Sequence, residues 1–342
     1  MDKLRNTKYF TKIDIRAGFS NIRIREGDEW KGAFKCSRGL FEPTVIFFGM
    51  CNSPATFQTM MDEVLKECID SGCVVVYIND IMIFHSNLEV LRRMTRKVLE
   101  ILRRNKLYTK PEKCEFEVTQ VEFLGLVISQ GKISMDPVKL QGVLGWPIPK
   151  NLRQLRSFIG FLNFYCCFVQ GFAVIAHPLN DLTRKDVLWK WKEEQQKAFE
   201  TLKSTITSAP VLSFPDHNKP KMVKTDASKY AYGAVLSQLE NDTWKPLAFM
   251  SRTMQPAEVN YDVHDKELLA IIKALEEWEQ YLPHFGGTPT IIISDHQNLQ
   301  YFMTARQVKP RHIRWKEFLS GFNVKITYRP GKSSTKPDAL SR

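Results

Sequence analysis

Two sets of acidic residues are the candidates for chemistry in this chain, and the smaller has the setting that divalent-metal chemistry uses. The smaller set includes Asp80, in Val74-Val75-Val76-Tyr77-Ile78-Asn79-Asp80-Ile81-Met82-Ile83-Phe84. That apolar, β-branched run reads as a buried hairpin with polar residues where the turn would sit. A carboxylate between hydrophobic strands is costly to bury unless a cation neutralises it. Asp14 lies inside an alternating strand, Lys12-Ile13-Asp14-Ile15. Alone it reads as a strand-end carboxylate. With the hairpin, it suggests two strands delivering acids to one place, as two-metal phosphoryl transfer requires. The larger set is Asp226, Glu267, Asp295 and Asp338. Taken singly, Asp226 and Asp295 are turn or helix-capping residues, and Glu267 is one acid among several on a charged helix face. Asp338 is a tail charge or an N-cap.

The elements that must position these acids change character along the chain. From Tyr9 to about Ile133 the pattern mixes short apolar strands with a helix near Pro54–Ile69, the hairpin, and a helix over Leu88–Asn105. Ser53 reads as the N-cap of the first helix, with Pro54 at N1. Val121–Ile128, followed by Gln130-Gly131-Lys132, reads as a second hairpin. Pro137, Pro147 and Pro149 punctuate the next stretch, and Leu152–Phe168 and Glu193–Ile206 read as helices. From Lys221 the pattern becomes α/β. Strands over Lys221–Asp226 and Tyr230–Gln238 precede a long helix, Asp262–Leu282, with Leu268, Leu269, Ile272, Leu275 and Trp278 at helical spacing. Strands over Pro289–Asp295 and Val324–Tyr328 follow. This order suggests an α/β layer with carboxylates gathered at one edge.

Composition bounds the partners. The chain has 342 residues, 43% of them hydrophobic, enough for two or three domains. Lys plus Arg number 49 against 37 Asp plus Glu, a formal charge of +12, and the pI is near 9.3. That excess suits a polyanion. The seven cysteines are scattered without a C-x-x-C pair, which favours reduced thiols over disulfides or a cysteine-bound zinc. No segment reads as a signal peptide, and the apolar runs fall short of the ~20 residues of a membrane span. The expectation is a soluble, intracellular protein, cytoplasmic or nuclear, with no membrane partner.

The ordered motifs carry a resemblance. Tyr9-Phe-Thr-Lys-Ile-Asp14-Ile-Arg-Ala-Gly18-Phe19, Phe48-Gly49-Met50-Cys51-Asn52-Ser53-Pro54-Ala55-Thr56-Phe57-Gln58 and Tyr77-Ile-Asn-Asp80 resemble three successive motifs of reverse transcriptases. Phe123-Leu124-Gly125 and Leu155-Arg156-Ser157-Phe158-Ile159-Gly160 continue the match. The chain resembles a fragment of the polyprotein of Ty3/Gypsy-type long-terminal-repeat retrotransposons over nearly its whole length. The implied architecture is α+β and α/β, multidomain. It comprises a reverse-transcriptase palm over 1–134 with its fingers largely missing, a helical thumb or connection region over 135–214, and an RNase H-like α/β domain over 215–342. By the same resemblance Asp14 and Asp80 are metal ligands, and Phe19 matches the aromatic gate that excludes a ribose 2′-hydroxyl. Phe48, Gly49, Gln58 and Tyr77 lie near incoming nucleotide and template. For Phe19 and Phe48, plain core packing is an equal alternative. Asp226, Glu267, Asp295 and Asp338, ordered on strand, helix, strand and C-terminal segment, resemble the ligand set of ribonuclease H.

The implied activity is Mg²⁺-dependent hydrolysis, with Mn²⁺ as a substitute, of the RNA strand of RNA–DNA hybrids. Hybrid and template-primer nucleic acid are the implied partners. Departures from the family's pattern weaken the polymerase. Asn79 stands where the family has an acid, so one of three anions is gone. Only 13 residues precede Asp14, so the fingers and their phosphate-gripping basic residues are not expected. Cys166-Cys167 replaces a usual basic pair, which would weaken phosphate contacts. The alternative is a catalytically inactive, nucleic-acid-binding remnant. Lys224, Arg252, Arg311, Arg314 and Lys332 are candidate phosphate contacts, although surface lysines and arginines are usually just solvating charge. His264, His296 and His312 are candidate proton-transfer groups, but no spacing singles them out. Trp278, Tyr281, Trp315 and Tyr328 are better read as core than as base-stacking platforms.

Overall fold

A computed structural model of the chain describes residues 4–283, 288–297, 299, 302 and 310–329. Contact density separates Met1–Lys132 from Ile133–Arg342. Asp338 and Lys332 lie outside the described residues.

In the first unit, alternation around Asp14 produces β1 (Tyr9–Asp14), with Phe10 and Ile13 fully buried. A small exposed hairpin, β2 (Phe34–Cys36) and β3 (Gly39–Phe41), follows. The helix expected over Pro54–Ile69 is two helices, α1 (Ser53–Val64) and α2 (Lys66–Asp70). They are separated at Leu65, where the chain turns while keeping Leu65 and Cys68 fully buried. The expected cap also shifts by one residue. Asn52 occupies the N-cap position without a side-chain cap bond, and the Ser53 hydroxyl donates to Phe47 O at 3.2 Å instead. Then come β4 (Val74–Tyr77), β5 (Asp80–His85) and α3 (Leu88–Arg104). The α3 cap is strong: Asn87 Oδ1 accepts from Glu89 N and Val90 N at 2.9 and 3.2 Å. Glu89 in its first turn and Arg103 and Arg104 in its last complement the helix dipole. Leu91, Thr95, Val98 and Leu102 form its buried stripe. The sheet is completed by β6 (Glu115–Val118) in the order β4-β5-β1-β6. Its core joins Ile13, Phe57, Met61, Ile81, Ile83 and Val98. The hairpin β7 (Gln120–Phe123) and β8 (Leu126–Ser129) turns through Leu124 and Gly125, both at positive φ (51° and 79°), as a two-residue hairpin turn demands.

The second unit opens with β9 (Lys132–Met135) and α4 (Pro137–Leu144). Pro137 starts this helix, and Asp136 caps it by accepting from Val138 N at 2.9 Å. Next are α5 (Leu152–Phe164), α6 (Phe172–Asp181) and α7 (Glu193–Thr207). The expected helix through Phe168 stops at Phe164; a 3₁₀ turn, Cys166–Phe168, replaces its last stretch. Phe158 packs on Phe199 with ring centroids 4.6 Å apart, holding α5 to α7. After β10 (Leu212–Ser213), a sheet forms from β11 (Lys221–Ala227), β12 (Ala231–Glu240), β13 (Thr243–Thr253), β14 (Thr290–Ser294) and β15 (Val324–Tyr328). Its order is β13-β12-β11-β14-β15. The first three strands are antiparallel, whereas β14 runs parallel to β11 and β15 parallel to β14. Helix α8 (Val263–Trp278) packs on β11 and β12, and α9 (Pro310–Ser320) packs on α8. The long helix therefore ends four residues early, followed by a 3₁₀ turn over Glu279–Tyr281. Leu268, Leu269, Ile272, Leu275 and Trp278 are all buried in the core beneath the sheet. No helix among the described residues is long and apolar enough to cross a membrane.

Candidate active sites

In the first unit, antiparallel pairing places Asp14 directly opposite Asp80 across β1 and β5. Like charges at such a position repel unless something neutralises them. The hairpin turn consists of Ile78 and Asn79, and Asp80 is the first residue of β5, paired with Tyr77. Ile78 adopts φ 50°, a conformation that a β-branched residue rarely accepts. Gln58 on α1 holds it there. Its Oε1 accepts from Ile78 N at 2.7 Å while its Nε2 donates to Val76 O at 3.2 Å and to Asp62 Oδ1 at 2.8 Å. Asn79 O accepts from Ile15 N at 2.9 Å, tying the turn to the end of β1.

Charge at this site is partly balanced by protein. Lys110 Nζ stands 3.6 Å from Asp14 Oδ1 and Lys113 Nζ 3.9 Å from Oδ2. Burial pushes the Asp80 carboxyl above its ordinary value; Asp14 adds to the rise, and Lys12 and Lys113 oppose it. The two lysines nearest Asp14 were not legible as site residues. They come from a segment about a hundred residues away, brought in by the Ile15–Thr109 bridge and the Lys110 N–Asp14 O bond. Asn79 Oδ1 is buried with no hydrogen-bond partner. A Cβ on Gly18 would lie 2.0 Å from that oxygen and 2.8 Å from Phe57 Cζ, so only glycine fits there.

The other residues expected here divide. Phe19 is buried in the core, edge-on to Phe57 at 5.7 Å and to Phe48 at 4.8 Å. Phe48 is 81% exposed and Tyr77 half-exposed. Gly49 sits at φ 105°, with open space where a side chain would be.

The second unit gathers three of the four acids of the larger set. Asp226 lies one residue before the end of β11, and Asp295 directly follows β14. Because β11 and β14 are parallel neighbours, both acids emerge at the same sheet edge. Glu267 reaches that edge from α8. One carboxylate oxygen from each lies within 4.8 Å of the others. Asp226 and Glu267 are buried, and Asp295 is exposed. Glu267 Oε1 accepts from Ala227 N at 3.0 Å, whereas Oε2 is buried with no hydrogen-bond partner. Burial, then Asp295, then Asp226 push the Glu267 carboxyl up to about 9, and the Ala227 N–H opposes them. Such a group is held at great cost as a bare carboxylate and is suited to a divalent cation. The donor set, oxygen-only and three-acid, fits a hard metal ion.

Arg252 pairs with Glu277. Arg314 is exposed and Trp278 is core. Trp315 packs against the core with Tyr281, as expected of both. Burial lifts both thiols of the Cys166-Cys167 pair, that of Cys167 to about 11, so they stay protonated. The histidines, by contrast, come together where spacing gave no sign. His264, His312 and Asp265 form a second close group, and His296 lies beside His264 with ring centroids 6.1 Å apart.

Asp14, Asp80, Asp226 and Glu267 fall within sequence matches that name a class. Residues 1–128 match the family model for reverse transcriptase (RNA-dependent DNA polymerase), and residues 191–290 match that of the RNase H-like domain found in reverse transcriptase. The chain is therefore of the reverse transcriptase/RNase H class. Over 99% of its length it is 40% identical to the transposon Tf2-3 polyprotein of Schizosaccharomyces pombe and 39% identical to the Tf2-7 polyprotein, spanning about a quarter (26%) of each. It belongs with the Ty3/Gypsy-type retrotransposon polyproteins, of which it carries the reverse transcriptase and RNase H-like part. Among solved structures, a foamy viral protease-reverse transcriptase in complex with double-stranded DNA matches at TM-score 0.76 and 25% identity. That match covers 96% of this chain and 69% of the other. The same viral protein in complex with an RNA/DNA hybrid matches at TM-score 0.75 and 25% identity, covering 99% and 46%.

Proposed function

We propose that the second unit hydrolyses the RNA strand of RNA–DNA hybrids with Mg²⁺, and that the first unit is an impaired polymerase palm that retains a template-primer surface. One observation carries the first part: Asp226, Glu267 and Asp295 converge with Glu267 raised to about 9 by burial and by its two neighbours. Asp338 completes the set by resemblance. Mg²⁺ held by these acids supplies an activated water and charge stabilisation for the departing 3′ oxygen. Asp226 and Glu267, buried and fixed by β11 and α8, set the position of the ion against the phosphodiester. Asp295 is the solvent-exposed member of the three and the one an arriving strand would meet first. The 2′-hydroxyl distinguishes RNA at the cut, and the hybrid bound by the foamy viral neighbour supports this substrate class.

Impairment of the palm rests on Asn79. It supplies a neutral amide beside Asp14 and Asp80, and lysines already stand against Asp14. Metal retention there is correspondingly weak. On this reading 1–134 is the palm, 135–214 the thumb or connection region and 215–342 the RNase H-like domain. Phe48, Gly49, Gln58 and Tyr77 then line the nucleotide and template side, and Phe19 supports it from the core.

The test is cleavage of a hybrid labelled on its RNA strand, in Mg²⁺ and in Mn²⁺, by the unmutated chain and by Asp226→Asn. Cleavage by the first and not the second is the expected result. An unmutated chain that binds hybrid but leaves it intact would instead favour the inactive remnant.

A further inference from the structure

The residues around Asp265 make a second constellation, separate in chemistry from the carboxylate cluster. Asp265 is fully buried on the first turn of α8. Its Oδ1 lies 2.6 Å from His312 Nε2, on the first turn of α9, and 3.2 Å from His264 Nε2. One nitrogen from each histidine and one oxygen of Asp265 lie within 4.8 Å of one another. The ring of His312 is stacked on Trp315 with centroids 5.8 Å apart, and Phe302 meets it edge-on at 5.6 Å. Those two contacts fix the direction in which its nitrogens point. Arg311 Nε stands 3.6 Å from the other carboxylate oxygen, longer than a hydrogen bond.

We infer that His264, Asp265 and His312 form a binding site for a transition-metal ion of the Zn²⁺ type, with water as fourth ligand, that ties α9 to α8. Two imidazoles and one carboxylate are the donor set that Zn²⁺ takes and that Mg²⁺ does not favour. The geometry needs little change. Bonds of ~2.0–2.2 Å at a tetrahedral centre place ligand atoms about 3.4 Å apart. The His264–Asp265 separation of 3.2 Å already matches. His312, at 2.6 Å, must withdraw by about 0.8 Å, within reach of a side-chain torsion adjustment at the start of α9. Arg311 then balances the non-ligating oxygen as an outer partner. The ion compensates the cost of burying Asp265 and joins two helices that are far apart in sequence.

The test uses the whole chain, stripped of metal by a chelator and held in excess Mg²⁺ so that the carboxylate cluster is saturated. Co²⁺ is then titrated as a visible probe of tetrahedral nitrogen and oxygen ligation. The expected result is one equivalent of Co²⁺ with tetrahedral absorption bands, displaced by Zn²⁺, and a higher melting temperature with Zn²⁺. His264→Ala and His312→Ala each weaken Co²⁺ binding at least about tenfold, while Asp226→Asn leaves it unchanged. His264 is 43% exposed at its side chain, so His264→Ala keeps its fold even if His312→Ala does not; far-ultraviolet circular dichroism checks this. Absence of stoichiometric Co²⁺ or Zn²⁺ uptake overturns the inference, as does uptake indifferent to His264→Ala or abolished by Asp226→Asn. None of these readouts depends on hybrid cleavage, so failure here leaves the proposed activity standing.

Discussion

The hairpin of the first unit and the sheet edge of the second solve the same electrostatic problem in opposite ways. In the hairpin, two aspartates face each other across a ladder, and the chain brings its own ammonium groups, Lys110 and Lys113, to within 4 Å of Asp14. The third position is an amide. At the sheet edge, three acids converge and the most deeply placed, Glu267, keeps an oxygen with no hydrogen-bond partner. Its carboxyl rises to about 9. Protein charges can make a cluster of acids tolerable without metal. Where they do not, the unmet demand is itself the sign of a site that binds a cation.

The largest test of this contrast is at the sheet edge. Asp226→Asn or Glu267→Gln should lower Mg²⁺-dependent hybrid cleavage at least about hundredfold. A loss under threefold would break the contrast. Adding a charge in the hairpin, Asn79→Asp, should raise primer extension at least about tenfold if the proposed impairment holds, measured with a labelled primer on an RNA template. No gain would show that something besides charge limits that site.

Stability sharpens the same comparison. Gly18→Ala should cost about 1–3 kcal/mol in denaturant unfolding, because its methyl meets Asn79 and Phe57. Adding Asn79→Ala should recover part of that loss, since one of the two clashing groups is then gone.

The same contrast can be read in pH. Glu267 holds its proton in the folded chain up to about 9 and releases it near the ordinary carboxylate value when unfolded. Below that ordinary value both states are protonated and its contribution is full. Between there and about 9 the unfolded state binds fewer protons, so stability falls as pH rises. In a chelator, the melting temperature should therefore drop from pH 5 to pH 9. Glu267→Gln should flatten the drop, and Mg²⁺ should reduce it. A slope identical in Glu267→Gln would show that the carboxyl is not held as the burial implies.

Much of this was legible from residue pattern, for identifiable reasons. Long amphipathic helices such as α3 and strands of β-branched residues such as β14 declare themselves by period. The acids at strand ends were legible because parallel neighbours bring them to one edge. Local exceptions were not. The break at Leu65 and the stop at Phe164 follow from packing that no local signal encodes. Helix α6 was missed because Pro178 lies inside it. Strand β13 went unread although it is the longest partner of β12. At the sites, Lys110 and Lys113 were missed because only sheet pairing delivers them. The His264–Asp265–His312 group was missed because α9 brings its third member from 47 residues away.

The fit of Gly18 around Asn79 has a consequence for the hairpin's future. Asparagine and aspartate share one outline, and the hollow that receives the amide would accept a carboxylate without moving the backbone. The Gln58 clamp and the tie with Ile15 hold the turn through its backbone and do not involve that side chain. A carboxylate at position 79 would therefore find a prepared seat, and one substitution is enough to put a charge there.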